Sequence, residues 1–181
     1  MNIADIYEGH YLPEKTKKRR ASTVAGYDSS IRLHVLPRWG ACEIDEIDPD
    51  DVQEWVDSFE RPGAAIKAYK CLRQIIRWWA KSKRLRIADP TVYVELPSME
   101  PYRPDTLDSG EATEMLRGMW GHVQEAVAIC SVTLGLRRGE ACALTWSDIN
   151  LKTGEVRVSK SRQCVNGEVV TEGTKTDKST R

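Results

Sequence analysis

Between Ala64 and Arg84 the apolar and charged residues alternate with the period of a helix. At about 100° per residue, Ala65, Ala68, Tyr69, Leu72, Ile75, Ile76 and Trp79 share one face. Lys67, Lys70, Arg73, Arg77 and Lys81 line the opposite face, with Trp78 beside the basic row. The pattern predicts a long amphipathic helix with a cationic outer side. Upstream, Ser22 as an N-cap followed by Val24, Tyr27, Ile31 and Val35 predicts another helix. It is expected to stop at "LPRWG", because Pro37 and Gly40 do not readily continue a helix. "DPDDVQEWVDSF" predicts a capped helix, with Asp48 ahead of Pro49 and with Val52, Trp55 and Val56 inward. Asn2 to Leu12 reads as a short amphipathic segment and leads into the basic "KTKKRR" of Lys15 to Arg20.

The pattern changes after this helical part. Ile87 to Thr106 is rich in proline and lacks a helical period, which predicts an extended connection. The chain is accordingly divided into a helical domain over 1–97, a linker over 98–105 and a second domain over 106–181. Asp108 and Glu111 have capping-box spacing ahead of Met115, Leu116 and Met119. Val123 to Leu134 is almost wholly apolar, as in a helix buried on all sides, and Gly135 ends it. Ala141 to Leu144 reads as one further turn. "EVRVS" alternates like a strand, Asn166-Gly167 signals a hairpin, and "EVVTEG" is expected as the partner strand.

Composition adds a restraint and a hint. Lys plus Arg and Asp plus Glu both number 27, so no global field draws the protein to nucleic acid or membrane. The charges are nevertheless segregated: all are acidic from Glu43 to Glu60 and all are basic from Arg61 to Arg86. A basic helix face is usually just solvated. This one lacks i,i+4 acidic partners on the helix, which favours contact with backbone phosphates of nucleic acid. The five cysteines are scattered, with no C-x-x-C spacing and no nearby histidine, so neither a disulfide framework nor a metal site is expected. With no apolar signal region and no stretch long enough to span a membrane, a cytoplasmic protein without cofactors is the expectation.

The segment "TLGLRRGEACALTWSDI", Thr133 to Ile149, is the most specific stretch. Taken alone, Arg137 would be an ordinary helix-end arginine with Glu140 as its surface partner. Its wording, "LGLRRGEACALTWSDINLKTGEVRV", resembles the start of the catalytic domain of tyrosine recombinases of the phage-integrase type. "YDSSIRLHVLPRWGACEIDEIDPDDVQEWV", the basic helix and "ADP" resemble that family's core-binding domain. The resemblance covers nearly the whole chain. It implies a mainly α fold: a helical-bundle, SAM-like core-binding domain followed by an incomplete α+β catalytic domain with a β-hairpin.

It also implies roles for particular residues. Arg137 matches the first arginine of the family's catalytic set, Glu140 the acidic residue that holds it, and Lys175 in "GTKTDKSTR" the hairpin lysine, with Lys178 in the same loop as the alternative. A two-toothed guanidinium suits the non-bridging oxygens of a phosphoryl-transfer transition state, and a lysine can protonate the leaving 5′-oxygen. Lys67, Lys70, Arg73, Arg77, Lys81 and Arg138 are expected to contact DNA. Double-stranded DNA and further integrase protomers are the expected partners, in site-specific recombination and integration of a mobile element.

One departure matters. The family's His-x-x-Arg segment and nucleophilic tyrosine have no counterpart: none of the three histidines has that spacing, and all six tyrosines precede Arg137. The expectation is an N-terminal portion of an integrase that binds DNA without cutting it. A non-cutting DNA-binding module or decoy, a remnant of an interrupted gene, and a helix-turn-helix regulator are the alternatives.

Overall fold

The computed structural model describes residues 1–173, and the chain forms two compact units that divide between Tyr102 and Arg103. The first unit is helical. Helix α1 (Ile3–Ile6) is capped by Asn2, whose side chain accepts from the Asp5 N–H at 2.8 Å. It runs through a widened π-type turn (Tyr7–Tyr11) into α2 (Leu12–Lys18). Helix α3 (Ala21–Ser30) follows and passes through a second such turn (Ile31–Val35) into α4 (Leu36–Trp39).

Here the expected boundaries are corrected. The helix starts at Ala21 with Arg20 in the cap position, and Pro37 does not stop it. Within the widened turn the Leu36 N–H reaches back to the Ile31 carbonyl. Pro37 then falls in the first turn of a new α segment, where a missing N–H costs little. Pro13 stands in the same place after the first π-type turn, and both turns run into the wording His-x-Leu-Pro.

Helix α5 (Pro49–Asp57) opens as expected, with the Asp48 carboxylate accepting from the Asp50 N–H at 2.8 Å. Helix α6 (Pro62–Lys83) is the spine of the unit and ends at Arg84, in the left-handed region. Its predicted apolar face is the buried one: Ala65, Ala68, Tyr69, Leu72, Ile75, Ile76 and Trp79 all lie in the core. They pack with Ile3, Ile6, Tyr7, Ile31, Val35, Trp39, Val52 and Val56, each at most 1% exposed. Trp78 is partly buried and meets Tyr11 edge-on, with ring centroids 5.4 Å apart.

The proline-rich segment is not extended linker from its start. Ile87 and Val94 pack against the helical core and Thr91 is fully buried. The Tyr69 hydroxyl donates to the Thr91 carbonyl at 2.6 Å, and the Gln53 side chain pairs with both backbone groups of Glu95. Through Glu95 the chain is therefore a strap held on the bundle. Its side chains supply too little apolar periodicity to show this in sequence; hydrogen bonds to side chains on α5 and α6 fasten it.

The second unit opens with α7 (Ser109–Gly118). Asp108 accepts from the Gly110 and Glu111 N–H groups, and Glu111 accepts from the Asp108 N–H in return. Helix α8 (Glu125–Leu134) contradicts the expectation of burial on all sides. None of its residues is fully buried; Ile129 and Val132 are 41% exposed and Leu134 47%. An all-round apolar helix is buried only where something packs on every side, and among the described residues its cover comes chiefly from α7 and α9. Gly135, at φ 61°, ends it in the left-handed conformation that glycine adopts without penalty.

The next turn of helix, α9 (Arg138–Ala141), begins three residues before the predicted one. A short 3₁₀ turn (Trp146–Asp148) leads to β1 (Ile149–Asn150), which pairs antiparallel with β2 (Glu155–Val156). Strands β3 (Lys160–Val165) and β4 (Glu168–Gly173) form the hairpin, with Val165 opposite Glu168. Asn166 and Gly167 take φ values of 51° and 85°, which gives the two-residue turn its right-handed twist. "EVVTEG" thus pairs with "KSRQCV" rather than "EVRVS". Alternation marked a strand, but the two-residue turn dictates which residues face it. A small core of Leu136, Ala141 and Val158, flanked by Val127, Cys130, Leu144 and Val156, holds this unit. Among the described residues no helix is long and apolar enough to cross a membrane.

Candidate nucleic-acid interface and arginine site

Arg137 sits at the cap position of α9 with φ −67° and ψ 149°, extended just before the helix begins. Its Nη1 donates to Glu140 Oε1 at 2.9 Å, and its backbone N–H donates to Glu140 Oε2 at 3.2 Å. One carboxylate therefore fixes both the backbone and the side chain of the arginine. The burial is unequal: the Arg137 side chain is 73% exposed and that of Glu140 only 4%. A buried carboxylate anchoring an outward guanidinium leaves the remaining N–H edge available to an external anion. Arg138 is exposed beside it.

The surrounding sequence explains the placement. Leu136 and Ala141 enter the small core, so the arginines between them are forced outward. Gly139 lies where α9 approaches the hairpin: a Cβ there would meet Ser161 Oγ and lie 3.1 Å from the Arg162 carbonyl oxygen. "LTWSD" forms the frame behind it. The Asp148 carboxylate accepts from the Thr145 hydroxyl at 2.6 Å, the Thr145 N–H at 3.0 Å and Lys160 Nζ at 3.0 Å, which ties the turn to the start of β3. The Thr145 hydroxyl and the Lys160 ammonium hold the Asp148 carboxyl down at a pKa of about 2. Lys175 lies outside the described residues.

The basic residues of α6 separate into two kinds. Lys67, Lys70 and Lys81 are exposed, and among the described residues no carboxylate pairs with them. Lys67 and Lys70 line an open groove of about 350 Å³ with Ser22, Thr23, Gly26 and Tyr27 of α3. Thr23 and Tyr27 also border the adjoining concavity that includes Lys15 and Arg19. Two cations from α6 and two from the end of α2 thus flank α3 on one surface, a grouping the sequence pattern did not reveal. The signal was present in "KTKKRR", but only packing sets it beside α6.

Arg73 and Arg77 are engaged within the protein. Arg73 Nη1 donates to the Tyr69 hydroxyl at 3.1 Å. Arg77 Nε donates to Asp89 Oδ2 at 2.7 Å, so an acidic partner missing from the helix itself arrives from the strap. Burial pushes the Asp89 carboxyl upward, but hydrogen bonds from Thr91 and Arg77 outweigh it and hold the group below the ordinary carboxylate range. No cluster of three or more metal-ligating side chains occurs among the described residues.

The chain is similar to several known proteins. Residues 5–59 match the family model described as phage integrase, N-terminal SAM-like domain. The tyrosine recombinase XerD of Staphylococcus haemolyticus (strain JCSC1435) is 29% identical over 147 residues, covering 76% of this chain and 50% of that protein. The Tn1549 transposon integrase, solved in complex with a circular intermediate DNA, superposes with a TM-score of 0.76 at 18% identity, over 100% of this chain and 60% of that one. A lambda integrase tetramer bound to a Holliday junction gives a TM-score of 0.72 at 13% identity, over 96% of this chain and 51% of that one. The chain spans half or less of the length of the curated relatives it matches. Residues 5–59 are thus similar to the N-terminal SAM-like domain of phage integrases, and over most of its length the chain is similar to tyrosine recombinases and integrases.

Proposed function

We propose that this chain binds double-stranded DNA through its core-binding domain and serves site-specific recombination as part of an integrase. The observation that carries the reading is the shared surface of Lys15, Arg19, Lys67 and Lys70, where among the described residues no carboxylate pairs with Lys67 or Lys70. Neutralised phosphates release counterions, so such a surface gives sequence-independent, salt-sensitive affinity. The row from Lys67 to Lys81 runs about 21 Å along the helix axis, close to the rise of six nucleotides along one strand. Arg138 is a further phosphate contact, and additional integrase protomers are the expected partners on DNA, as in the lambda integrase tetramer on its junction.

In the reaction, Arg137 is the group that stabilises the transition state. As the phosphoryl group is attacked, negative charge grows on its non-bridging oxygens, and the exposed guanidinium edge meets it with no reorganisation because Glu140 already fixes the rotamer. Lys175 is the general acid that protonates the leaving 5′-oxygen. Within these residues every tyrosine precedes Arg137, so this chain is proposed to bind DNA without forming a phosphotyrosyl bond. In a cleavage-competent integrase carrying the same segment, Arg137→Lys keeps the charge but loses the planar fork, and cleavage falls by about two to three orders of magnitude with little change in affinity.

Binding is tested by titrating a labelled duplex with the 181-residue chain over a range of salt. Changing Lys67 and Lys70 to Gln lowers the log–log salt slope by about 0.9 for each phosphate left unneutralised and weakens all sequences alike. An unchanged slope returns this face to a merely solvated surface. A nicked suicide substrate that gives a covalent adduct on a denaturing gel overturns the non-cleaving assignment.

A further inference from the structure

We propose that Asp89 is a positioning residue that, with Thr91, holds Arg77 ready to take a single phosphodiester of the DNA backbone. This rests on the DNA-binding reading above and adds to it the device that organises one contact.

As with Arg137 and Glu140 in the other unit, a less exposed carboxylate holds a more exposed guanidinium, here through different atoms. Asp89 Oδ2 takes Arg77 Nε at 2.7 Å, while Oδ1 accepts both the backbone N–H of Thr91, at 3.0 Å, and its hydroxyl. Bonds from both sides leave the carboxylate no freedom to turn. Thr91 is in turn fully buried, and its carbonyl accepts from the Tyr69 hydroxyl, which also accepts from Arg73. The Asp89 side chain is 19% exposed, whereas that of Arg77 is 54% exposed. Only the Nε of the guanidinium is occupied by the aspartate, so the two Nη groups remain as donors, and two parallel N–H groups suit two oxygens of a phosphate. Arg77 lies two helical turns beyond Lys70, on the same outer side of α6.

A competing role is simpler: the pair only latches the strap onto α6. The two roles predict opposite signs. If the pair is merely a latch, the Asp89 charge repels nearby phosphates, and its removal leaves DNA affinity unchanged or raises it. If Asp89 positions Arg77, its removal weakens binding although a negative charge has been deleted.

The experiment measures the affinity of the full chain for a labelled duplex by fluorescence anisotropy across salt, for Arg77→Gln, Asp89→Asn and the double variant. Arg77→Gln is expected to weaken binding roughly tenfold and to lower the salt slope by about 0.9. Asp89→Asn is expected to lose roughly three- to tenfold, and the double variant no more than Arg77→Gln, because both act through one contact. Equal or tighter binding by Asp89→Asn, or additive losses in the double variant, overturns the proposal. Should Asp89→Asn lose its cooperative thermal melt, Arg77→Lys decides: a loss close to that of Arg77→Gln supports a held fork, and wild-type affinity overturns it. The Lys67→Gln, Lys70→Gln variant separates the two levels. If it weakens binding while Asp89→Asn does not, only the positioning role falls; if it has no effect, the DNA-binding surface itself falls.

Discussion

Helices α6 and α8 show how differently one kind of sequence signal can end. Helix α6 carries its apolar residues on one face and buries that face completely, against α1 and α3 and the strap that follows it. Helix α8 is the more apolar of the two, yet none of its residues is fully buried. An amphipathic helix states which side the core must occupy. A uniformly apolar helix states only that cover is needed, and the cover must come from elsewhere. The two units differ in the same way. The first rests on a broad core that includes Trp39, Leu72 and Ile75; among the described residues the second has three buried apolar residues in its main cluster, with polar ties such as Thr145–Asp148–Lys160.

The largest expected effect tests the broad core. Leu72 is fully buried, and Leu72→Ala should cost about 3–5 kcal/mol, measured by chemical denaturation of the full chain. A loss below about 1 kcal/mol would mean that the bundle is not the main source of stability.

Gly139→Ala should cost less, about 1–3 kcal/mol, because the added methyl presses on Ser161 and the Arg162 carbonyl and must push the hairpin from α9. Hydrogen exchange should rise in peptides from the hairpin and around Arg137 while α6 stays protected. Equal protection in the variant and the parent chain would show that the hairpin can shift without cost.

Acid should separate the units further. The Asp148 carboxyl titrates near 2 when folded, below its ordinary 3.8, so its stabilising effect is complete above about pH 4 and is lost as pH falls toward 2. Hydrogen exchange of the second unit, followed from pH 5 to pH 3, should show this loss, and Asp148→Asn should reduce it. An identical acid response in the variant would assign the loss to other carboxyls.

The smallest effect is on α8. Ile129→Ser should change stability by no more than about 0.5 kcal/mol, in contrast with Leu72→Ala, and should reduce binding of an apolar fluorescent dye. A cost comparable to that of Leu72 would show that this face is covered in solution.

Several features were legible in the sequence because their causes are local. The caps at Asp48 and Asp108, the Gly135 terminator, the Asn166-Gly167 turn and the buried face of α6 each depend on residues within a turn or two. The close pairing of Arg137 with Glu140 was legible for the same reason, since three residues along a helix start bring the groups together. Tertiary structure alone decided the rest. Pro37 continues a helical run because a π-type turn precedes it, and Asp89 reaches Arg77 because the strap returns along α6. Lys15 and Arg19 join Lys67 and Lys70 only because α2, α3 and α6 pack together. Spacing fixes what a few consecutive residues can do, but which distant charges meet on one surface, and whether an apolar helix finds cover, depends on surfaces that form only when the chain has folded.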